Sequence, residues 1–282
     1  MVDAGPAAVL FFSMFAGAVV SSFSGYAFSP VAGVLLLTMF EPAVAVPVLM
    51  ICSIFVQVTT LVHLRHGLKF GSTAMLLGGA CGVSLAMVLF HRIDAERFQL
   101  AFAVFLAAYA TTMLLRPHGR IRAGGGPKTE MAVGFAGGLI GGLTAMPGAV
   151  PVLYCDCRGC PKEVQRATVQ PFILAMQVLA LCLMAASGAM QWRVVELAVT
   201  ALPALAAGIM IGLFLFGRVP DVGFRRVVLV LLLATSAGII AKHNLVRPPG
   251  LEIAGEPPGS TFKIPAGAMT LQADTAFIAR GP

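Results

Sequence analysis

Long apolar stretches without charged residues dominate the chain, and they predict membrane-spanning helices. Six such stretches cover residues 43–62, 70–90, 98–115, 167–190, 197–217 and 227–241. A helix needs about 20 apolar residues to cross the hydrocarbon layer of a bilayer, so most of these stretches are long enough. Short connections that carry arginine and lysine separate them. The pattern predicts an all-α polytopic membrane protein.

Two further apolar segments are interrupted by glycine and proline. The first runs from Phe15 to Leu37 and the second from Phe135 to Tyr154, so their starts are 120 residues apart (135 − 15). An interrupted helix leaves backbone N–H and C=O groups unpaired, and lipid cannot satisfy them. Such breaks survive where they line a polar cavity. Paired breaks in two halves of a chain therefore point to the substrate site of a transporter.

The similarity between the two halves extends beyond these breaks. Gln57 corresponds to Gln177 at the same spacing of 120 residues. At a spacing of 126 residues, Gly82, Ala86, Phe90, Arg92 and Phe98 correspond to Gly208, Gly212, Phe216, Arg218 and Phe224. Each half is therefore predicted to hold one broken segment and three transmembrane helices.

Composition shifts divide the chain into four parts. Residues 1–115 form the first predicted transmembrane repeat and residues 129–246 the second. Residues 116–128, which are basic and rich in glycine, suit a solvated linker between them. Residues 247–282 lose the apolar stretches and gain proline, so we predict a disordered tail there.

The distribution of positive charge predicts that each broken segment is a hairpin. If each segment crossed the membrane once, the lysines and arginines of the loops would divide nine to eight between the two sides. With two hairpins they divide twelve to five. The twelve on one side are Arg65, Lys69, Arg116, Arg120, Arg122, Lys128, Arg158, Lys162, Arg166, Arg218, Arg225 and Arg226. The five on the other side are Arg92, Arg97, Arg193, Lys242 and Arg247. The second division follows the positive-inside rule.

Hairpins give each half an odd number of full crossings, so the two halves would be inverted repeats with both termini outside the cytoplasm. The charge-free stretch 4–40 is too long for one crossing and favours a hairpin. The stretch 131–155 is short enough to cross once, so its length leaves both arrangements open.

Overall composition agrees with a membrane protein and excludes several functions. The chain is 58% hydrophobic and 11% charged, whereas soluble domains carry about 25% charged residues. The net charge of +7 lies in short loops, where it sets topology and contacts anionic lipid, so we expect no nucleic-acid partner. The chain start lacks a basic segment, and we expect no cleaved signal peptide. No phosphate-binding loop, cofactor motif or enzyme signature is present in the sequence.

The two breaks supply the first set of candidate binding residues. Pro30 suits the start of a second helical arm, and Pro151 lies near the corresponding position of the other break. Two helix N-termini that face each other would offer free N–H groups and positive dipole ends to an anion. The alternative is close helix packing through small residues. The candidates at the breaks are Ser24, Gly25, Tyr26, Ser29, Thr144, Met146 and Gly148.

Three polar residues in the following helices complete the candidate site. Gln57 and Gln177 are placed symmetrically, so they are either a pair of substrate ligands or two interhelical hydrogen-bonding groups. Arg166 either anchors the helix at the interface or meets an anion at the mouth of a cavity. The weaker candidates of the same kind are Thr59, Thr60, Thr168 and Gln170.

Three cysteines, Cys155, Cys157 and Cys160, follow the second break in the sequence CDCRGC. A zinc site would need a fourth ligand at suitable spacing, which the sequence lacks, so we predict no metal. A membrane sulfur relay that uses these thiols is one alternative function. The other three cysteines lie in apolar stretches and do not suggest a disulfide framework.

The broken segments resemble the TauE/SafE family of sulfite and organosulfur anion exporters. The resemblance rests on SGYAFSPVAGVLLL (24–37) with Pro42 and Pro47, and on GGLTAMPGAVPVLY (141–154) followed by RGCPKEVQRATVQPF (158–172). It spans residues 8–241. Both breaks depart from the commonest glycine-triplet form of the family.

This resemblance implies a secondary transporter of the bacterial inner membrane that exports a small sulfur-containing anion. Sulfite, thiosulfate, sulfoacetate and other sulfonates are the candidates, with H⁺ as a candidate coupling ion. An anion channel is the alternative that would use the same site. The sequence indicates no oligomeric state.

Overall fold

A computed structural model describes residues 4–64, 72–90, 95–115 and 126–215, together with positions 230, 233, 236 and 237. Within these residues the chain forms ten helices: α1 (Ala4–Ser24), α2 (Phe28–Leu36), α3 (Pro42–Leu64), α4 (Thr73–Phe90), α5 (Ala95–Leu115), α6 (Pro127–Thr144), α7 (Ala149–Cys157), α8 (Lys162–Ala186), α9 (Trp192–Thr200) and α10 (Leu202–Leu215). The predicted tail, most of the predicted linker and most of the stretch 227–241 lie outside the described residues. α6 begins at Pro127, inside the predicted linker, because proline suits the first position of a helix.

The lengths and composition of the helices fit a multi-pass membrane protein. Four helices are long and apolar enough to cross a membrane, over Gly5–Ser22, Pro42–Val62, Thr73–Phe90 and Glu163–Ala186. α9 and α10 meet at a bend of 45° and would make a fifth span together. Pro203 in the first turn of α10 lacks an N–H group, which explains why the predicted stretch 197–217 is not one straight helix.

The short helices α2 and α7 fold back along the helices that precede them. A Cβ atom at Gly17 of α1 would lie 2.9 Å from the Cβ of Ala32 and 3.1 Å from the carbonyl oxygen of Phe28, both in α2. A Cβ atom at Gly137 of α6 would lie 2.9 Å from the carbonyl oxygen of Pro147 and 3.0 Å from the Cδ of Pro151. Glycine therefore allows the close approach in both hairpins, at positions 120 residues apart (137 − 17).

The two ends of the second hairpin lie together. Arg158, which follows α7, places its Nη1 3.8 Å from Oε1 of Glu130 in the first turn of α6. The same nitrogen donates a hydrogen bond of 3.1 Å to the hydroxyl of Tyr154. The chain therefore enters and leaves this hairpin at the same end, which is the arrangement that sequence length left open.

Helices of one half pack closely on helices of the other through glycine. Gly78 and Gly82 of α4 lie against the backbone of α6, at Met131 and Phe135. Gly134 of α6 meets the backbone of α4 in return. A side chain at any of these glycines would collide with main-chain atoms, so the two helices could not keep this distance.

The equivalent contact between the two halves joins α10 of the second half to α1 of the first. A Cβ atom at Gly208 would lie 2.6 Å from the carbonyl oxygen of Phe15, and one at Gly212 would lie 2.6 Å from that of Val19. Since Gly208 corresponds to Gly82 in the sequence, the two inter-half contacts use corresponding helices. Each hairpin's long helix is thus held by a helix of the opposite half.

α3 and α8 lie at the centre of this arrangement. α3 contacts α1, α2, α5, α8, α9 and α10, and α8 contacts α3, α4, α6 and α7. Both central helices bury glutamines inside a core that is otherwise apolar: Gln57 and Gln177 are 1% exposed and Gln170 is 2% exposed. Buried amides require hydrogen-bond partners, and these partners define the site.

Candidate functional site

The first helix break covers residues 25–27, between α1 and α2. Gly25 has a φ of +88°, a left-handed conformation that glycine adopts without strain. Its N–H group donates to the carbonyl oxygen of Ser21 at 2.7 Å, and the N–H group of Ala27 donates to Oγ of Ser24 at 3.3 Å. α2 begins at Phe28, so Pro30 is the third residue of that helix. The predicted break is present here.

The second break covers residues 145–148, between α6 and α7. Ala145 has a φ of +59° and is the one non-glycine residue with positive φ in the part of the chain that the structure describes. This conformation costs an L-residue about 1–2 kcal/mol, so the rest of the fold must stabilise it. α7 begins at Ala149, which makes Pro151 its third residue, the same position that Pro30 holds in α2.

Two buried glutamines hold the two breaks in the same way. Nε2 of Gln57 donates a hydrogen bond of 3.2 Å to the carbonyl oxygen of Gly25. Nε2 of Gln177 donates one of 3.2 Å to the carbonyl oxygen of Ala145. Donor and acceptor are 32 residues apart in both cases, and the two bonds differ by 120 residues. Each glutamine therefore satisfies a carbonyl group that the broken helix leaves without an intrahelical partner.

Arg166 reaches from α8 to the first break. Its Nη2 donates a hydrogen bond of 2.9 Å to the carbonyl oxygen of Ser22, near the end of α1. A Cβ atom at Gly25 would lie 3.1 Å from Nε of Arg166. A cation at this place interacts favourably with the negative end of the helix dipole. The position that corresponds to Arg166 in α3 is Val46, which is buried and apolar, so the second break has no matching arginine in α3.

α8 connects the two breaks through Gln170. Nε2 of Gln170 donates to Oε1 of Gln57 at 3.4 Å, so the first break is tied to α8 through two amides. Gln170 and Gln177 are seven residues apart, which places them on nearly the same face of α8, about 10 Å apart along its axis. Gly148 of the second break lies against Val169 and Ile173 of α8. Both breaks therefore flank the same surface of this helix.

The remaining predicted residues have varied surroundings. Ser29 and Met146 are buried at 3% exposure. Tyr26 is half-buried and packs against the apolar core. The hydroxyl of Thr144 donates to the carbonyl oxygen of Ile140 at 2.7 Å, within its own helix. These residues lie at the breaks, but Thr144 directs its hydrogen into α6.

Sequence reasoning missed Ser21 and Ser22. Both are buried near the end of α1, and their Oγ atoms have no hydrogen-bond partner among the residues that the structure describes. Ser22 lies against Gly212 of α10. Serine in a helix of small residues commonly serves packing, so no local pattern separates these two serines from the others.

The cysteine cluster lies at the far end of α7 from the break. Cys155 is 5% exposed, whereas Cys157 and Cys160 are half-buried. The described residues contain no group of three or more histidine, cysteine, aspartate or glutamate side chains placed to hold a metal ion. The cluster is thus separate from the site at the breaks.

Residues 9–239 match the model of the family described as Sulfite exporter TauE/SafE. A comparison with curated proteins finds no match, and neither does one with solved structures. The matched region includes both hairpins, the central helices and every buried glutamine described above. The chain therefore belongs to the TauE/SafE sulfite exporter family.

Proposed function

We propose that this chain is a secondary transporter that exports a small sulfur-containing anion across the inner membrane. Sulfite, thiosulfate, sulfoacetate and other sulfonates are the candidate substrates. Membership of a sulfite exporter family and the set of apolar helices support membrane transport. The observation that carries the proposal is the pair of matched helix breaks, each held by a buried glutamine at 3.2 Å.

The breaks suit an oxyanion because each presents backbone hydrogen-bond donors at the start of a short helix. The N–H groups in the first turn of a helix have no intrahelical partner, and the positive end of the dipole adds to their attraction. Proline contributes no N–H at the third position of α2 and α7. In α2 the donors are therefore the N–H groups of Phe28 and Ser29. In α7 the N–H group of Ala149 already donates to the carbonyl oxygen of Met146 at 3.3 Å, which leaves that of Val150 as the donor.

The side chains at the breaks extend the donor set. An amide nitrogen carries two hydrogens, so Gln57 and Gln177 each keep one after binding the break carbonyl. Arg166 adds a full positive charge beside the first break, where a desolvated anion gains most from it. The proposed substrate-binding residues are Ser24, Gly25, Tyr26, Ser29, Gln57, Thr144, Met146, Gly148, Arg166 and Gln177.

The length of the second hairpin supports a site near the middle of the membrane. From Glu130 to Thr144, α6 advances 14 residues (144 − 130), or about 21 Å. From Arg158 back to Gly148 there are 10 residues (158 − 148), or about 15 Å. With the Glu130–Arg158 pair at one interface and a hydrocarbon layer of about 30 Å, the break lies near mid-depth. Transporter substrates commonly bind at that depth.

We propose that access alternates as one inverted half rocks against the other. A hairpin that leaves on its side of entry gives each half three full crossings, which inverts the second half and places both termini outside the cytoplasm. The reciprocal packing of α4 on α6 and α10 on α1 supports this symmetry. H⁺ is the candidate coupling ion.

The test is transport by the purified protein in liposomes. We expect sulfite flux that saturates and shows counterflow, together with binding of sulfur oxyanions in a screen that includes carboxylates, halides and amines. Binding of a cation or an amine with no response to any sulfur oxyanion would contradict the substrate class.

Two alternatives give different results in the same assay. An anion channel would show flux without counterflow. A sulfur relay through the cysteine cluster would lose activity when Cys155, Cys157 and Cys160 are all replaced by serine, whereas a transporter with its site at the breaks would keep its flux.

A further inference from the structure

The two buried glutamines perform the same task with their nitrogens but differ at their oxygens. Oε1 of Gln57 accepts a hydrogen bond of 3.4 Å from Gln170. Oε1 of Gln177 is buried and has no hydrogen-bond partner in the described part of the chain. Gln177 is 1% exposed, so bulk water does not reach it. A buried acceptor without a donor is costly, and native folds seldom retain one without a reason.

The symmetry of the two halves identifies the missing partner. The residue that corresponds to Gln170 in the first half is Met50 (170 − 120). Met50 is fully buried, and its thioether offers no hydrogen to an amide oxygen. The bond that ties Gln57 to Gln170 therefore has no counterpart at Gln177.

The surroundings of the second break supply no substitute among the contacts that the structure gives. Gly148 lies against Ile173 and Val169, and Gly137 opposite the break lies against Phe172. The first break, in contrast, has donors from Arg166 and Gln170. A buried acceptor with apolar neighbours around the break suits a ligand that brings its own hydrogen-bond donor.

We propose that the transported anion carries a hydrogen-bond donor of its own, and that Oε1 of Gln177 accepts it. The negatively charged oxygens would face the N–H group of Val150 at the start of α7, while a hydroxyl on the same solute would meet Gln177. Hydrogen sulfite meets this requirement, because one of its oxygens can carry the proton, and so does a hydroxyalkanesulfonate. This inference rests on the proposed function and narrows its substrate class.

Two sulfonates of equal size test the requirement on the unmodified protein. Isethionate and propanesulfonate have the same number of heavy atoms, and a hydroxyl in the first replaces a methyl in the second. We expect the purified protein to bind isethionate roughly tenfold more tightly, which is the effect of one buried hydrogen bond. Equal affinity, or a preference for propanesulfonate, would overturn the inference.

A change at position 50 tests the role of Gln177 without touching its bond to Ala145. Met50→Gln introduces the donor that Gln170 provides in the other half. We expect this variant to unfold at a higher temperature and to reduce the preference for isethionate to about twofold or less. Met50→Leu, a change of similar volume without a donor, should keep the full preference.

The outcomes separate this inference from the proposed function. If both sulfonates and sulfite bind but the hydroxyl gives no advantage, only the donor requirement fails. The same holds if the preference persists unchanged in a folded Met50→Gln variant. If no sulfur oxyanion binds and a cation does, the proposed function fails as well. A Met50→Gln variant that does not fold would leave the comparison of the two sulfonates as the deciding result.

Discussion

The two helix breaks share a backbone design but differ in the chemistry around it. Both end in a short helix with proline at its third position, and both are fixed by a glutamine 32 residues further along the chain. The first break uses glycine in its left-handed turn, and Arg166 donates a hydrogen bond to the carbonyl oxygen of Ser22 beside it. The second uses Ala145 and leaves an amide oxygen without a partner in the described region. The two breaks thus share the interrupted backbone, while the side chains around them differ.

The comparison of the two breaks separates features of the architecture from candidate features of recognition. Features present in both halves, such as the breaks and the glutamine–carbonyl bonds, are required to keep broken backbone stable away from water. Features present in one half alone, such as Arg166 and Gln170, cannot be required by that backbone design. They are therefore the better places to look for substrate selectivity.

The largest effect is expected at the turn of the first break. Gly25→Val places a β-branched side chain at a φ of +88° and against Arg166, where a Cβ atom would lie 3.1 Å from Nε. We expect a loss of about 2–3 kcal/mol in the free energy of unfolding, and loss of transport. Thermal unfolding in detergent and liposome flux measure the two effects. Wild-type flux and stability in this variant would show that the turn is not needed.

The second-largest effect is expected on substrate affinity, from removal of the positive charge of Arg166 beside the first break. Arg166→Met removes the guanidinium but keeps much of the aliphatic volume. We expect sulfite affinity to fall by about tenfold to a hundredfold, the range for a desolvated charged hydrogen bond. The dissociation constant should also become less sensitive to ionic strength. Unchanged affinity with lowered stability would assign Arg166 to structure alone.

A smaller effect is expected on stability, where substitutions of the two glutamines should differ. Gln57→Leu removes the donor to Gly25 and also the acceptor of Gln170, so two buried groups lose their partners. Gln177→Leu removes only the donor to Ala145. We expect Gln57→Leu to be more destabilising by about 1 kcal/mol, as measured by thermal unfolding of the two variants side by side. Equal losses would mean that the bond from Gln170 contributes little.

The smallest effect is a gain in stability at the second break. Ala145→Gly relieves the left-handed conformation at a φ of +59°. We expect the free energy of unfolding to rise by up to about 1 kcal/mol, with Ala18→Gly, in the interior of α1, as a destabilising control. A loss of stability in Ala145→Gly would show that Ala145 is not strained.

The sequence predicted the helix breaks and the corresponding positions of Gln57 and Gln177 in the two halves. Both were visible because glycine, proline and isolated amides stand out in apolar stretches. It also predicted hairpins from the distribution of charge. The ion pair of Glu130 with Arg158 agrees with that arrangement for the second segment, which length could not decide.

Other parts of the site could not be predicted, because they depend on contacts between distant segments. The hydrogen bond from Arg166 to Ser22 spans 144 residues, and that from Gln170 to Gln57 spans 113. No local pattern encodes either bond. The left-handed turn at Ala145 was also hidden, since alanine favours helix and tertiary packing overrides that preference here.

The position of a bound anion would show whether the two helix breaks form the substrate site. A crystal structure with selenite, a heavier relative of sulfite, would locate the anion by anomalous scattering. We expect a peak within hydrogen-bonding distance of the N–H groups at the start of α2 or α7, close to Gln57 or Gln177. A peak confined to the loop arginines, with both breaks empty, would contradict it.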